Sequence, residues 1–151
     1  MIFFLIGMPC SGKTTFGKAF ATNLNCRFLD LDAEIMRLQG CTIAQIFENA
    51  GESGFRKIES ETLRSLDFGA SAVVATGGGA PCFYDNITFM RTRGTVLWLD
   101  PEMHVLKTRF LADSHNSRPL LQDTSADFDT KIAAMYEARK PLYRQAHYRL
   151  T

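Results

Sequence analysis

The sequence has no long apolar run, since no stretch approaches the roughly 18 residues that a membrane-spanning helix needs. The apolar opening MIFFLIG lacks a basic region and meets a glycine-rich segment at once. It therefore indicates a buried strand and not an export signal. Internal repeats and low-complexity segments are also lacking. We expect a soluble, cytoplasmic protein without a membrane partner.

An excess of charge of one sign is lacking as well. The 17 Lys and Arg residues nearly balance the 16 Asp and Glu residues, and the formal net charge is +1 at pH 7. This balance gives no reason to expect nucleic acid as a partner. Any electrostatic recognition must come from local clusters of charge.

Cysteine is sparse, and the four that are present form no CxxC pair: Cys10, Cys26, Cys41 and Cys82. Such scattered cysteines favour reduced thiols over a disulfide or zinc framework. A chain of 151 residues that is 46% hydrophobic can bury one sizeable core. We expect one domain over residues 1–151, acting as a monomer.

Apolar runs alternate with longer segments of helical periodicity. The strand-like runs cover residues 2–6, 27–31, 72–75, 95–99 and 148–150. Helical periodicity covers residues 13–24, 42–49 and 55–66 and recurs after Pro101 and after Asp127. The alternation predicts a three-layer α/β fold whose parallel sheet is covered on both faces. Insertions at about 32–65 and 111–124 are candidates for binding surfaces.

The stretch GMPCSGKT, residues 7–14, fits the phosphate-loop pattern GxxxxGK[ST] between a predicted strand and a predicted helix. There, backbone N–H groups and a helix N-terminus surround phosphate, Lys13 reaches the β and γ phosphates, and Thr14 holds Mg²⁺. A chance glycine turn is the alternative, at about one in two hundred chains of this length. The chain has little room for the elements of a GTPase, so a small-molecule kinase fits better.

Asp30 and Asp32 end the second predicted strand, two residues apart, so both carboxylates can point to one side at the carboxyl edge of the sheet. Open α/β sheets bind ligands at this edge. One carboxylate could hold Mg²⁺ through water while the other deprotonates an acceptor hydroxyl. Asp32 as the N-cap of the next helix is the alternative.

Arg56 and Glu59 are one helical turn apart in GESGFRKIESE. A surface ion pair is one interpretation. An arginine held by a neighbouring carboxylate is also a suitable fork for a substrate carboxylate, because two parallel N–H bonds match its geometry. Both interpretations remain open at this point.

Three consecutive glycines, 77–79, follow the third predicted strand. A tight exit from a strand into a helix needs one glycine or two. Three in a row favour a backbone that lies close to a ligand. Whether that ligand is the nucleotide or the phosphate acceptor remains open at this point.

The motifs GMPCSGKTT, DLDAEI, TIAQIFENAGESGFRKIE, TGGGAP, RPLL and EARKPLYRQA follow in the order and approximate spacing of shikimate kinases. The chain resembles that family over nearly its whole length. The combination of DxD, FRxxE, GGG and a late RxxLY is far more specific than the phosphate loop. The resemblance implies a P-loop kinase fold with a five-stranded parallel sheet in the order 2-3-1-4-5. It also implies a helical substrate-binding insertion at about 32–65 and a lid at about 111–124.

The implied reaction is the Mg²⁺-dependent transfer of the γ-phosphate of ATP to the 3-hydroxyl of shikimate. By resemblance, Lys13, Asp32 and Arg118 would be catalytic. Asp32 would act as the base, and Arg118 would swing in with the lid to stabilise the transferring phosphoryl group. Thr14 and, through water, Asp30 would hold the metal. The residues that would bind ATP are Cys10, Ser11, Gly12, Lys13, Thr14, Thr15 and Arg118.

On the acceptor side, Arg56 and Arg139 would grip the shikimate carboxylate while Glu59 steadies Arg56. Phe47 and Phe55 would line the pocket. The full set implied to bind shikimate is Asp32, Arg56, Gly77, Gly78, Gly79 and Arg139. Of the three glycines, Gly78 would lie nearest to the hydroxyl groups. Another small-acid kinase, such as a gluconate kinase, would share the phosphate loop but not the paired FRxxE and late arginine. A non-catalytic nucleotide-binding module is the second alternative.

Two features depart from the family pattern. Cys10 stands where the family often has glycine, so it costs strain if that position needs a positive φ. Its thiol, near a helix N-terminus, is either inert or sensitive to oxidation. Shikimate kinases continue past the last strand with a loop that packs on adenine, whereas the sequence ends at Thr151. Either that loop lies outside this sequence or Arg109 serves instead, unless Arg109 is an ordinary solvated arginine.

Overall fold

The computed structural model describes residues 1–113 and 128–151. Its strands are β1 (Ile2–Ile6), β2 (Arg27–Asp30), β3 (Ala72–Ala75), β4 (Thr95–Leu99) and β5 (Tyr148–Leu150). Its helices are α1 (Lys13–Asn23), α2 (Leu31–Gln39), α3 (Ile43–Ser65), α4 (Asn86–Arg93), α5 (Met103–Ala112) and α6 (Phe128–Tyr143). A short 3₁₀ turn, Ala80–Cys82, precedes α4. All five predicted strands are present.

The five strands form one parallel sheet in the order β2-β3-β1-β4-β5. This is the order that the resemblance implies, and the expectation is confirmed. β1 is central and pairs with β3 through Phe3 and Val73. Because parallel strands end at the same edge, the phosphate loop after β1 and the glycines after β3 leave the sheet side by side.

Alternate side chains of β1 enter two separate apolar clusters, one on each face of the sheet. Phe4 and Ile6 belong to the larger cluster, which helices α2 to α6 cover. Leu5 belongs to the smaller cluster, together with Ala21 of α1. α1 lies close to the sheet at Gly17, where a Cβ would be 2.8 Å from Leu5 Cδ1. The predicted three-layer arrangement is therefore present.

Helix α2 begins at Leu31, where the sequence predicts the last residue of the second strand, because Asp30 ends β2 and caps the helix. Its Oδ1 accepts hydrogen bonds from the backbone N–H groups of Asp32 (3.1 Å) and Ala33 (3.2 Å). Asp32 therefore lies in the first turn of α2, and the alternative that Asp32 is the N-cap is wrong.

Helix α3 joins two segments that the sequence pattern separates, residues 42–49 and 55–66. It begins with a capping box, in which Gln45 N–H donates to Thr42 Oγ1 and Thr42 N–H donates to Gln45 Oε1. Its backbone departs from helical geometry at Gly51, with φ 68° and ψ −177°. The insertion is thus two helices, the second of which is kinked.

The predicted lid and its Arg118 lie almost entirely outside the described residues, at positions 114–127. Of the predicted lid, residues 111–124, the structure describes only residues 111–113. The first two of these end α5, and Asp113 is the C-cap of that helix. None of the helices in the described ranges is long and apolar enough to cross a membrane.

Candidate active site

The phosphate loop connects β1 to α1 and contains three residues with positive φ: Gly7 (141°), Cys10 (62°) and Gly12 (92°). α1 begins at Lys13, so its first backbone N–H groups lack partners within the helix and face the loop. Lys13 is 7% exposed, and its Nζ donates to the carbonyls of Gly7 (2.9 Å) and Met8 (2.7 Å). The loop is a cradle for an anion, with a cation held at its side.

A cleft of 820 Å³ opens beside this loop, a volume suited to a small-molecule ligand. Its lining includes the whole predicted ATP-binding stretch, residues 10–15, together with Asp30 and Asp32. Arg118, the remaining predicted ATP contact, lies outside the described residues. The structure thus brings the phosphate loop and both carboxylates to one cavity.

Asp30 connects the end of β2 to the phosphate loop. While its Oδ1 caps α2, its Oδ2 accepts a hydrogen bond from Thr14 Oγ1 over 3.1 Å. A hydroxyl beside a carboxylate is a donor set that suits Mg²⁺, which takes few protein ligands and keeps waters. The sequence analysis expected Asp30 and Asp32 on one side of a strand, because alternate residues of a strand point the same way. That reason does not hold, since Asp32 lies in helix α2. The cap is what brings both to the cleft.

Arg56 and Glu59 form an ion pair of 2.8 Å between Nη1 and Oε1. Their side chains are 5% and 0% exposed, which excludes the surface ion pair that the sequence left open. The Arg56 guanidinium also lies over the rings of Phe55, at 5.1 Å, and Phe83, at 4.7 Å. Phe47 packs on Phe55 with ring centroids 4.7 Å apart.

Burial raises the pKa of the Glu59 carboxyl above its ordinary value, to about 7. The positive charge of Arg56 opposes this shift, and the hydrogen bond from Arg56 does so too. The charge of Asp32 adds to the increase in the pKa, and that of Arg139 reduces it. Three charged groups that the sequence predicts for the site, Asp32, Arg56 and Arg139, therefore lie close enough to Glu59 to affect its pKa.

The three glycines are the reason these groups can approach. A Cβ on Gly77 would lie 2.9 Å from Glu59 Oε2 and 3.3 Å from Asp32 Oδ1. The other two glycines are equally crowded. A Cβ on Gly78 would lie 3.0 Å from an Arg139 nitrogen and 2.8 Å from Pro9 Cδ, and one on Gly79 would lie 2.7 Å from Arg56 Cζ. The bare backbone leaves room for the charged side chains on either side of it.

Tyr143 also contributes to the site, by holding the glycine segment, although the sequence analysis gave it no role. It is fully buried, and its hydroxyl donates to the Gly78 carbonyl over 2.5 Å. Burial raises the pKa of this hydroxyl, so it stays protonated as a donor. The signal was present in the motif RKPLY, since Arg139 and Tyr143 are four residues apart on one face of α6.

Arg109 reaches from α5 to the phosphate loop, where its Nη1 is 3.4 Å from the Cys10 carbonyl. It lines the same cleft as the loop. Cys10 has the positive φ that the sequence analysis considered, so its Cβ carries strain.

The family model described as shikimate kinase matches residues 9–151 of the chain. The shikimate kinase of Bacteroides thetaiotaomicron is 43% identical over 147 residues, which is 96% of this chain and 83% of the relative. That of Nitrosomonas europaea is 44% identical over 141 residues, 93% of this chain and 65% of the relative.

Solved structures agree. The crystal structure of shikimate kinase from Bacteroides thetaiotaomicron matches with a TM-score of 0.92 at 40% identity, covering 100% of this chain and 86% of that chain. Shikimate kinase from Acinetobacter baumannii, in complex with shikimate, matches with a TM-score of 0.91 at 38% identity. The match covers 99% of this chain and 82% of that chain. The resemblance drawn from the motifs is confirmed, and the chain belongs to the shikimate kinase family.

Proposed function

We propose that this chain transfers the γ-phosphate of ATP to the 3-hydroxyl of shikimate, giving ADP and shikimate 3-phosphate on the route to chorismate and the aromatic amino acids. Family membership supports the reaction. The observation that carries it is the convergence of Asp32, Arg56, Glu59 and Arg139 on the glycine backbone beside the phosphate loop. One anion and several hydroxyls on the acceptor call for such a set of partners.

On the ATP side, the phosphates enter the cradle of backbone N–H groups at the start of α1. Lys13, whose Nζ contacts two carbonyls of the phosphate loop, binds the β and γ phosphates. Arg109 is placed to contact the nucleotide, because it lines the cleft beside the loop. Arg118 is proposed to stabilise the charge of the transferring phosphoryl group.

Thr14 and, through water, Asp30 would hold Mg²⁺, since a hydroxyl and a carboxylate oxygen meet there at 3.1 Å. A bound Mg²⁺ supplies positive charge against the β and γ phosphates. The cap on α2 keeps Asp30 fixed for this purpose, because its second oxygen remains occupied by backbone N–H groups.

On the acceptor side, Arg56 and Arg139 bind the carboxylate and so orient the ring. Asp32 then faces the hydroxyl and accepts its proton as the oxygen attacks phosphorus. Glu59 does not contact the transferring group, and its role is to position Arg56. The backbone of Gly77–Gly79 approaches the ring without steric conflict because it has no Cβ.

We also propose that the enzyme is a single-domain monomer of the cytoplasm. Its four cysteines are free thiols, as is usual in a reducing compartment. Light scattering at micromolar concentration should give a mass near 16.9 kDa. A mass twice as large would contradict the monomer without bearing on the reaction.

The reaction is tested by measuring ADP release with Mg·ATP and one acceptor at a time: shikimate, quinate, gluconate or a nucleoside monophosphate. Shikimate should give turnover well above the acceptor-free rate. Turnover with gluconate and none with shikimate would favour the alternative of a gluconate kinase, and no turnover with any acceptor would favour a nucleotide-binding module.

Residue roles are separated by two variants. Arg139→Ala should mainly raise the KM for shikimate, whereas Asp32→Asn should mainly lower kcat. Equal effects of both variants on the KM for ATP would contradict these assignments.

A further inference from the structure

The guanidinium of Arg56 is enclosed on most sides. Aromatic rings cover it, that of Phe55 at 5.1 Å and that of Phe83 at 4.7 Å. Its Nη1 is taken by Glu59 at 2.8 Å. The edge of the guanidinium that Glu59 does not occupy is formed by Nε and Nη2. This edge is one of the two forks with which arginine binds a carboxylate through parallel hydrogen bonds.

That edge is incompletely satisfied. Within residues 1–113 and 128–151, Arg56 Nε is buried and has no hydrogen-bond partner. Its neighbour Nη2 meets Glu52 Oε1 at 3.5 Å, the upper limit of a hydrogen bond. A buried donor without a partner costs free energy, which a ligand acceptor can recover. Of the two donors on this edge, Nε has no hydrogen-bond partner among the described residues and Nη2 has a long hydrogen bond.

The group that holds the second position is itself a carboxylate. Glu52 directly follows the kink at Gly51 and is four residues before Arg56 on α3. Its side chain is 47% exposed, in contrast to Glu59, which is 0% exposed. Glu52 and Arg56 both line a second cleft of 410 Å³, together with Phe83 and Tyr84. Glu52 therefore has space to turn away from Arg56, whereas Glu59 does not.

We propose that Glu52 competes with the substrate carboxylate for the Nε and Nη2 edge of Arg56, and thereby sets the KM for shikimate. This inference depends on the proposed function, in which Arg56 binds that carboxylate. A bound carboxylate would take both nitrogens at normal hydrogen-bond distance, and Glu52 would turn into the second cleft. Each binding event then includes the loss of the contact between Glu52 and Arg56.

A different role for Glu52 predicts the opposite sign. If Glu52 holds Arg56 in a binding geometry, its removal should raise the KM for shikimate. If Glu52 competes, its removal should lower that KM. The measurement therefore decides between a positioning residue and a competing one.

The test compares wild type with Glu52→Gln and Glu52→Ala by steady-state kinetics with shikimate at saturating Mg·ATP. A half-exposed ion pair contributes little, so we expect the KM for shikimate to fall about two- to fivefold. Glu52→Ala should have the larger effect, because the glutamine amide oxygen can still accept from Nη2. The KM for ATP should not change. The carboxamide analogue of shikimate, which lacks the anion, should show no gain in kcat/KM with either variant.

Glu61→Gln is the matched control, since it removes one negative charge from an exposed position of the same helix. Its KM for shikimate should equal that of wild type. An unchanged or higher KM in the Glu52 variants would overturn the inference, as would an equal gain with the carboxamide. If wild type itself fails to phosphorylate shikimate while another acceptor works, it is the proposed function that fails.

Discussion

The Tyr143 hydroxyl donates a hydrogen bond of 2.5 Å to the Gly78 carbonyl, and this contact ties helix α6 to the glycine segment. Tyr143 is fully buried, as its ring packs at 5.7 Å from that of Trp98. One turn earlier, the same helix carries Arg139, which approaches Gly78 as well. The position of Arg139 relative to the glycine backbone thus depends on Tyr143.

Tyr143→Phe should lower the free energy of unfolding by about 1–3 kcal/mol, because it leaves a carbonyl unpaired in the interior. Urea unfolding followed by the fluorescence of Trp98, the only tryptophan, measures the loss. Tyr84→Phe is the control, because the Tyr84 side chain is 53% exposed, and its effect should stay within about 0.5 kcal/mol. Equal stabilities of the two variants would show that the Tyr143 contact contributes nothing.

Much of the fold follows from the sequence because its signals are local or topological. The apolar run at Ile2–Ile6 followed by GxxxxGKT specifies a strand, a loop and a helix within a few residues. The sheet order came from the resemblance and not from periodicity. The sequence predicts two separate helical segments, 42–49 and 55–66, whereas the structure has one helix, α3, whose backbone kinks at Gly51 without ending there.

The site was less accessible to sequence reasoning. Asp30 and Asp32 were assigned to one face by strand alternation, yet they reach the cleft because Asp30 caps the helix that carries Asp32. Glu52 and Tyr143 were not selected, since their partners, Arg56 Nη2 and the Gly78 carbonyl, are set by packing. Charge alone does not tell which carboxylate of a helix is buried.

Cys10 has a left-handed backbone conformation, with φ 62°. That conformation costs a residue with a Cβ roughly 1–2 kcal/mol, and glycine does not have this cost. Part of the gain is offset because glycine gives the unfolded chain more conformational freedom. Cys10→Gly should therefore raise the free energy of unfolding by about 0.5–1 kcal/mol. Cys26→Gly, at a position where φ is not positive, should lower it instead, because glycine adds freedom to the unfolded chain. Urea unfolding compares the two, and a loss of stability in Cys10→Gly would contradict the strain.

Gly79→Ala should disturb the acceptor side of the site while leaving the phosphate loop intact. Its new Cβ would lie 2.7 Å from Arg56 Cζ, and Arg56 has little freedom because Glu59 and two rings enclose it. We expect the KM for shikimate to rise about tenfold or more, with little change in the KM for ATP.

Gly40→Ala is the control for the Gly79 variant. Gly40 has φ 67°, and nothing lies within 4 Å of its ideal Cβ, so alanine there strains the backbone without touching the site. Its stability should fall, but its KM for shikimate should not change. A similar KM in both variants would mean that the rise comes from general destabilisation. Gly78 is less suitable, since its Cβ would also press on Pro9 of the phosphate loop, at 2.8 Å.

Glu59 should give the protein a distinctive dependence of stability on pH. Burial raises its pKa from 4.5 to about 7 in the folded state, so the folded chain binds a proton that the unfolded chain has released. The contribution of Glu59 to stability is complete below pH 4.5 and is lost as the pH rises towards 7. The loss amounts to about 3 kcal/mol if the whole shift is expressed.

Glu59→Gln tests this, because glutamine has nearly the same shape and does not titrate. The free energies of unfolding of wild type and variant should be measured in urea at pH 5, 6, 7 and 8, and the wild-type advantage should shrink as the pH rises. Glu61→Gln, on the exposed side of the same helix, should differ from wild type by a constant amount. An advantage that grows with pH would mean that Arg56 keeps Glu59 ionised and lowers its pKa. In that case the Glu59 carboxylate would stay negatively charged from pH 5 to pH 8. The affinity for shikimate would then show no change with pH that comes from protonation of Glu59.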